Sequence, residues 1–420
     1  MLNFRISLIH PTGNPFARNA AIAFGEANLL HEIITSIAYN PQKTTLPYLN
    51  LLPKSIKNKI VSELGRRTWI PPKGATIHTY PSKEILRIAL AKTKLSRFLG
   101  FGSQGPVDWV YASLDRQVAQ HHLDGIQAVY AYEDGAAETF QAAKQRDIFC
   151  LYDLPILFYR ASREIQESEA QRFPELAASL QAAKEPTWKI ERKEQEIQLA
   201  DRIFVPSSFV QKSLIDAGIK ADKISVIPFG APIDYFLPKP KQDNIFRALF
   251  IGRVGPRKGA HYLLQAWQEL KLSPAELLLV GINEFPPNYL EQYTDIIRYI
   301  PSVPHSLLNN YYNSGNVLVL PTLVEGLPLV ILEAMACGIP VITTPNAGIY
   351  DIITNGVEGF IVPIRDVESL KEKLDWCYRH PQELAEMGLA ARRKAEYLTW
   401  KLYQKQLVEQ VQKLLQNYSK

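Results

Sequence analysis

The chain is predicted to be an α/β protein made of two parallel-sheet units, and three observations carry that reading. Short apolar runs alternate with helical stretches over residues 4–206, the pattern of successive β-α-β units. A segment with prolines at 228, 232, 238 and 240 then interrupts the alternation, as a linker does. Beyond it the alternation starts afresh and runs to residue 379. With 420 residues, more than one ordinary core holds, the chain divides in expectation into two domains.

In the first unit, FRISLI (4–9) reads as a strand, HPTGNP (10–15) as a loop, 18–31 as an Ala-rich helix and IITSIA (33–38) as a second strand. AVYAY (128–132), FCLYDL (149–154) and RIFVP (202–206) read as further strands, and residues 160–199, rich in Glu, Gln, Ala and Arg, as largely helical. In the second unit the expected order is RALFIG (247–252), a helix from about 259, ELLLVG (276–281), VLVLP (317–321), a helix carrying Glu333, PVITT (340–344) and a helix over 366–379. Residues 400–416 form a last helical stretch. The expected division is therefore 1–227 for an N-terminal domain, 228–244 for the linker, 245–398 for a C-terminal domain, and 399–420 for a helix packing back toward the first domain. In open α/β sheets ligands bind outside the carboxyl ends of the strands, so a cleft between the two units is where chemistry is expected.

Composition narrows the class. At 46% hydrophobic and 21% charged, the chain is globular, not disordered or fibrous. No apolar run approaches membrane-spanning length, and MLNFRISLIHPTG lacks the marks of a signal peptide, so a cytoplasmic location is expected, with peripheral attachment at the inner membrane face as an extension. Cys150, Cys337 and Cys377 are odd in number and far apart, which supports neither a disulfide framework nor a cysteine zinc site. The formal charge is +5, but residues 54–97 hold 11 Lys or Arg against Glu63 and Glu84, a local 11 − 2 = +9. With Trp69 and the amphipathic stretch up to 101, that region suits peripheral contact with an anionic membrane; no nucleic-acid module accompanies it.

Two motifs carry chemistry. The loop Gly252-Arg253-Val254-Gly255-Pro256-Arg257-Lys258-Gly259 follows a strand and opens a helix, which suits phosphate: glycines admit a close ligand, and Arg253 and Lys258 supply fixed charge. It matches neither the Walker A nor the dinucleotide fingerprint, which disfavours ATP hydrolysis and nicotinamide binding. Further on, VEGLPLVILEAMACGI (324–339) sets Glu333 inside an apolar run. Burying a carboxylate without a partner costs several kcal/mol. Either a structural Arg or Lys pairs it, or a ligand does. Glu325 sits eight residues upstream, followed by Gly326 and by Pro328, which suits a first helical turn whose amides attract anions.

Together, GRVGPRKG, LLLVG and the segment PTLVEGLPLVILEAMACGIPVITTPNAGIYDIITNGVEGFIVP resemble the donor-binding half of family 4 ("group 1") retaining glycosyltransferases, and Glu325 and Glu333 reproduce their E-x7-E spacing. VPSSFVQKSLIDAGIKADKISVIPFGAPIDYF is similar to the segment leading into their interdomain linker. The resemblance is strong over residues 200–365. It implies the GT-B fold, two Rossmann-like domains whose parallel sheets face each other across a cleft, and a nucleotide-diphosphate sugar as co-substrate, with no other cofactor and no metal. Arg253 and Lys258 would neutralise the diphosphate, helped by amides over Leu327, Pro328, Leu329 and Val330, of which proline has none to give. Glu333 would take the ribose hydroxyls and Glu325 would face the transferred sugar, with Gly252 and Gly326 admitting the ligand. No D-x-D triplet is present for a metal, and no protein nucleophile is implied.

The N-terminal half departs from the family. Pro11-Thr12-Gly13-Asn14 stands where many relatives have two glycines, leaving Gly13 to make the close approach. Asp153 stands where relatives often place a histidine, and a carboxylate is not expected to act as the same neutral donor at pH 7. Glu133 and Asp134 are weaker candidates at a neighbouring strand end, and His10 reads as structural. The expected activity is retaining transfer of a sugar to a hydroxyl acceptor, whether a glycan, a lipid-linked molecule or a small molecule. A sugar-nucleotide epimerase and a non-catalytic nucleotide-sugar-binding subunit are the alternatives.

Overall fold

The computed structural model describes residues 4–41, 64–65, 67–91 and 105–418. Its strands are β1 (Ile6–Ile9), β2 (Leu30–Thr35), β3 (Thr76–Thr79), β4 (Ala128–Tyr132), β5 (Phe149–Asp153), β6 (Arg202–Val205), β7 (Ile224–Val226), β8 (Phe246–Ile251), β9 (Ala275–Val280), β10 (Ile297–Ile300), β11 (Val317–Leu320), β12 (Val341–Thr343) and β13 (Gly359–Ile361). The helices are α1 (Pro15–Glu26), α2 (Pro81–Ala91), α3 (Gly105–His121), α4 (Ala137–Lys144), α5 (Tyr159–Arg172), α6 (Thr187–Leu199), α7 (Ser208–Asp216), α8 (Ala260–Leu270), α9 (Leu308–Tyr312), α10 (Leu329–Ala336), α11 (Val367–Arg379), α12 (Pro381–Tyr397) and α13 (Trp400–Tyr418).

The strands make two sheets, in the orders β3-β2-β1-β4-β5-β6-β7 and β10-β9-β8-β11-β12-β13. The pairings of β1, β4 and β5, and of β8, β9, β11 and β12, are parallel. Both sheets are thus doubly wound, and each reverses direction once, beside β1 and β4 in the first and beside β8 and β11 in the second. At such a reversal two neighbouring strand ends lead helices to opposite faces, leaving a crevice at the carboxyl edge. Strands β4, β8 and β11 are buried along their whole length, as parallel strands covered on both faces are.

Local chemistry explains where the sequence reading missed boundaries. Helix α1 starts three residues earlier than expected because Pro15 suits its first turn, and it ends at Glu26; Asn28, in the left-handed region at φ 56°, turns the chain into β2. The helical stretch over 160–199 is broken into α5 and α6 by 3-10 turns beginning at Pro174 and Ala182 and by Pro186.

The chain divides into two compact units: residues 1–154, 187–204 and 404–420, and residues 155–186 and 205–403. This partition differs from a cut at 227, and the reason for one part lies in α5. Glu169 on that helix is fully buried and accepts hydrogen bonds from His261 Nε2 at 2.8 Å, Tyr262 Oη at 2.7 Å and Arg365 Nε at 2.7 Å, all residues of the second unit. Removing α5 from that unit would strand His261, Tyr262 and Arg365 without their common acceptor. At the other end, Gln404 of α13 donates to Asn19 Oδ1 of α1 at 2.7 Å within the first unit. No helix among the described residues is long and apolar enough to cross a membrane.

Of the 11 Lys and Arg of the basic stretch proposed to meet a membrane, seven lie outside the described residues. Of its described members, Arg67 and Arg87 both pair with the buried Glu84, at 2.8 and 2.7 Å. Trp69, grouped with that surface from the sequence, is buried instead. Its ring fills the space beside Gly13, where an added Cβ would stand 2.3 Å from Trp69 Cε3.

Candidate active site

Within the second unit, the loop after β8 and the loop after β11 leave the sheet at its point of reversal, and their side chains meet there. Residues Pro256–Lys258 form a 3-10 turn closed by Gly259 at φ 69°, after which α8 begins. Only glycine fits at 259, because a Cβ would stand 1.9 Å from the Pro321 carbonyl oxygen as well as occupying the left-handed region. That tight packing brings the β8 loop against the residues following β11.

The result is a charged cluster. Glu325 Oε1 lies 2.8 Å from Lys258 Nζ and 2.8 Å from Arg257 Nη1, and Arg257 also donates to the Val324 carbonyl at 2.8 Å. Burial pushes the Glu325 carboxyl up, but Lys258 and Arg257 outweigh it and hold it at about 2. Burial likewise pulls the Lys258 ammonium below its usual range, with Glu325 opposing that fall and Arg257 adding to it. The site therefore holds two cations and one carboxylate in an enclosed setting.

The other residues expected here are placed differently. Arg253 is mostly exposed and pairs with Glu284 Oε1 at 2.5 Å. Gly252 follows β8 at φ 133°, where an added Cβ would stand 3.7 Å from Lys258 Nζ. Gly326 is held by the Pro155 backbone, 2.1 Å from where a Cβ would sit, and its carbonyl accepts from Ser207 Oγ at 2.7 Å. Leu327 and Pro328 are buried, whereas Leu329 and Val330, at the start of α10, are partly exposed.

Glu333 is buried on α10, as its apolar neighbours require, and its partners come from the chain itself. Oε1 lies 2.9 Å from His305 Nε2 and Oε2 accepts from Tyr312 Oη at 2.7 Å. Tyr312 is fully buried, and its hydroxyl is pushed far above the usual range by burial and by Glu333. His305 is more than half exposed and stacks on Tyr235 at 5.6 Å and 14°. Neither an Arg nor a Lys makes the contacts described for Glu333, so the structural ion pair weighed from the sequence is replaced by a histidine and a tyrosine.

In the first unit, Gly13, expected to approach the donor, lies in the loop after β1, and Asp153, expected to be catalytic, ends β5. Gly13, at φ 59°, donates its amide to His10 Nδ1 at 2.9 Å, and Thr12 does so at 3.1 Å. Burial, with Arg18 nearby, drives His10 down to about 3. A neutral ring accepting from a loop backbone is the structural role expected of it. Asp153 is buried, accepts from Tyr130 Oη at 2.6 Å, and is driven up to about 7 by burial against the opposing hydrogen bonds of Tyr130 and Tyr132. It is no surface turn. Burial favours its protonated form, which can donate a hydrogen bond.

Glu133 and Asp134 have internal partners: Lys193 lies 3.5 Å from Glu133, and Lys189 bridges Asp134 at 3.1 Å and Asp108 at 2.8 Å. Sequence reasoning missed Arg257, although it stands between two residues of the recognised loop. A turn with three residues per revolution lets neighbouring side chains diverge and still reach one acceptor. His305 and Tyr312 carried no local signal, since they approach Glu333 from 28 and 21 residues away.

The family described as "Glycosyl transferases group 1" matches residues 246–380. A D-inositol 3-phosphate glycosyltransferase of Kribbella flavida is 27% identical over 245 residues, 52% of this chain and 58% of that protein. The same-named protein of Geodermatophilus obscurus is 29% identical over 208 residues, covering 43% and 46%. The chain thus spans about half the length of the curated relatives it matches. Among solved structures, sucrose-phosphate synthase from Thermosynechococcus elongatus superposes with TM-score 0.64 at 19% identity, covering 99% of this chain and 100% of that one. Anabaena HepE in complex with UDP gives TM-score 0.63 at 15% identity, covering 98% and 100%. The two doubly wound sheets have the GT-B fold, and the segment that holds the Lys258–Glu325 cluster matches the group 1 glycosyltransferases.

Proposed function

We propose that this protein transfers a sugar from a nucleotide-diphosphate sugar to a hydroxyl acceptor, with retention of anomeric configuration and without a metal on the diphosphate. The observation that carries the reading is the convergence of Lys258 and Arg257 on Glu325 at the reversal point of the second sheet. A Lys ammonium has three donors and Glu325 takes one. A departing diphosphate brings concentrated negative charge, and enclosed, preorganised cations stabilise such charge far more than water does. Arg253 joins them by exchanging Glu284 for a phosphate oxygen, which its exposure permits. Glu325 then stands beside the leaving group, facing the sugar.

Glu333 is assigned to the ribose. Each of its oxygens accepts one hydrogen bond, and a carboxylate oxygen has two acceptor positions, so ribose hydroxyls add to Tyr312 and displace the exposed His305. The amides of Leu329 and Val330 open α10 toward the same anion. In the first unit Gly13 is assigned a close approach to the donor and Asp153 a catalytic role. UDP in the related HepE complex puts uridine nucleotides first in a donor screen, and the name of the curated relatives puts a cyclic polyol phosphate first among acceptors.

Saturation-transfer NMR against a panel of nucleotide sugars, followed by anomeric analysis of the product, tests the reading. Binding of at least one donor and a retained anomer are expected; no binding by any of them overturns it. Product formed without acceptor would mean an epimerase, and binding without turnover across an acceptor library a non-catalytic subunit. Peripheral membrane contact through residues 54–101 belongs to the same proposal, resting on their local charge. Flotation with vesicles containing phosphatidylserine should exceed that with neutral vesicles; equal flotation removes the contact.

A further inference from the structure

We propose that Glu32, His78 and His122 form a zinc site in the first unit, unrelated to the donor chemistry. Glu32 lies on β2 and His78 on the neighbouring edge strand β3, where the register sets Glu32 opposite Thr76 and Ile34 opposite His78. Side chains two apart on a strand share a face, so Glu32 and His78 are diagonal neighbours on one side of the sheet. His122 follows the last residue of α3 and reaches the same point. His78 Nε2 lies 3.1 Å from Glu32 Oε2, and His122 Nδ1 lies 3.0 Å from Glu32 Oε1. One ligand atom from each of the three residues fits within 4.8 Å of the others.

Those separations suit tetrahedral zinc. Metal–ligand bonds of about 2.0 Å at tetrahedral angles set ligand atoms about 3.3 Å apart, near the 3.1 and 3.0 Å between each histidine and the carboxylate. Two imidazoles and one carboxylate supply three ligands and leave the fourth position to water, a donor set that zinc accepts and magnesium does not favour. The surroundings orient these ligands. Ser7 Oγ donates to Glu32 Oε1 at 3.1 Å, and Tyr80 Oη lies 2.7 Å from His122 Nε2. With zinc on Nδ1, the Nε2 proton of His122 points at the Tyr80 oxygen, the outer hydrogen bond that fixes a ligating histidine. Glu32 and His122 are buried, whereas His78 is half exposed and gives the ion a way in from the sheet edge. A bound cation would tie the edge strand, its neighbour and the end of α3 together. Its ligands come from residues separated by 46 and 44 positions, so no local motif announces it in the sequence.

Titration calorimetry of the full chain with zinc chloride is expected to show saturable binding of one ion per chain, with cobalt(II) in its place giving a visible d–d band. His78→Gln and His122→Gln should each weaken zinc at least tenfold, and Tyr80→Phe about tenfold through the lost outer hydrogen bond. His121→Gln, at the exposed neighbouring position, should leave binding unchanged. Circular dichroism establishes that each variant is folded; should His122→Gln unfold, the half-exposed His78 carries the test alone. Absence of one-to-one binding by the wild-type chain overturns the proposal. So does binding that survives His78→Gln undiminished, or magnesium competing equally with zinc.

Discussion

Glu325→Gln is expected to lower stability at pH 7 by about 3–5 kcal/mol, the range for removing one partner of a buried ion pair, and added UDP is expected to restore part of it. Glu325 is the carboxylate to which both Lys258 and Arg257 are held at 2.8 Å, so the amide leaves two neighbouring cations in an enclosed site. Burial and Arg257 already draw Lys258 below its usual range, and loss of Glu325 removes the chief opposing influence. The ammonium can then shed its proton, so the defect should shrink as pH rises from 7 toward 10. A second consequence concerns the wild-type protein. Its Glu325 is held at about 2, below an unfolded carboxyl near 4.5, so the stability it contributes is complete above about 4.5 and disappears as pH falls toward 2. The variant should lack that acid limb. Denaturant titrations at several pH values, with and without UDP, measure all of this. Wild-type stability in the variant would show that the cluster is solvated and weak, and no response to UDP would separate it from the diphosphate.

That the sequence points to the loops holding Lys258 and Glu325 and hides other partners has one physical cause. Lys258 and Glu325 were legible because β8 and β11 are adjacent at the reversal of a doubly wound sheet, and loop composition beside a strand reveals that position. Residues 128–132 and 317–320 were equally legible as strands, because a parallel strand covered on both faces is apolar without alternation. By contrast, β3 is mostly exposed, and TIHT has too little apolar character to announce a strand. The partners of Glu333 were beyond reach for a related reason. Helical periodicity shows that a glutamate is misplaced among apolar residues, but its partners Tyr312 and His305 are delivered by tertiary packing alone. The same limit hid Arg257, whose direction is set by a 3-10 turn, and the partition that joins α5 to the second unit through Glu169.

Asp153→Asn should produce a large pH-dependent change in stability. Burial lifts the Asp153 carboxyl to about 7, whereas in the unfolded chain it ionises near 3.8. The sign is opposite to that of Glu325. Because the folded form holds its proton more tightly, the contribution of Asp153 is fully present below about 3.8 and is lost as pH rises through 7. A gap of about three units at about 1.36 kcal/mol each makes the loss roughly 4 kcal/mol by pH 8. Asparagine has no proton to release, yet its carbonyl can still accept from Tyr130 Oη, which lies 2.6 Å from Asp153. Relative to wild type, the variant should therefore gain stability steadily from pH 4 to pH 8. Glu196, which burial raises to about 8, titrates in both proteins and cancels in the difference. A difference that does not vary with pH would mean that Asp153 is ionised throughout, with water or a cation reaching it. The functional consequence follows from the same proton. If Asp153 meets the acceptor or the transferred sugar, kcat/KM of the wild type should show an ionisation near pH 7 that Asp153→Asn abolishes. If the stability difference follows pH while the rate profile is unchanged, Asp153 is a buried acid of the first unit that takes no part in transfer.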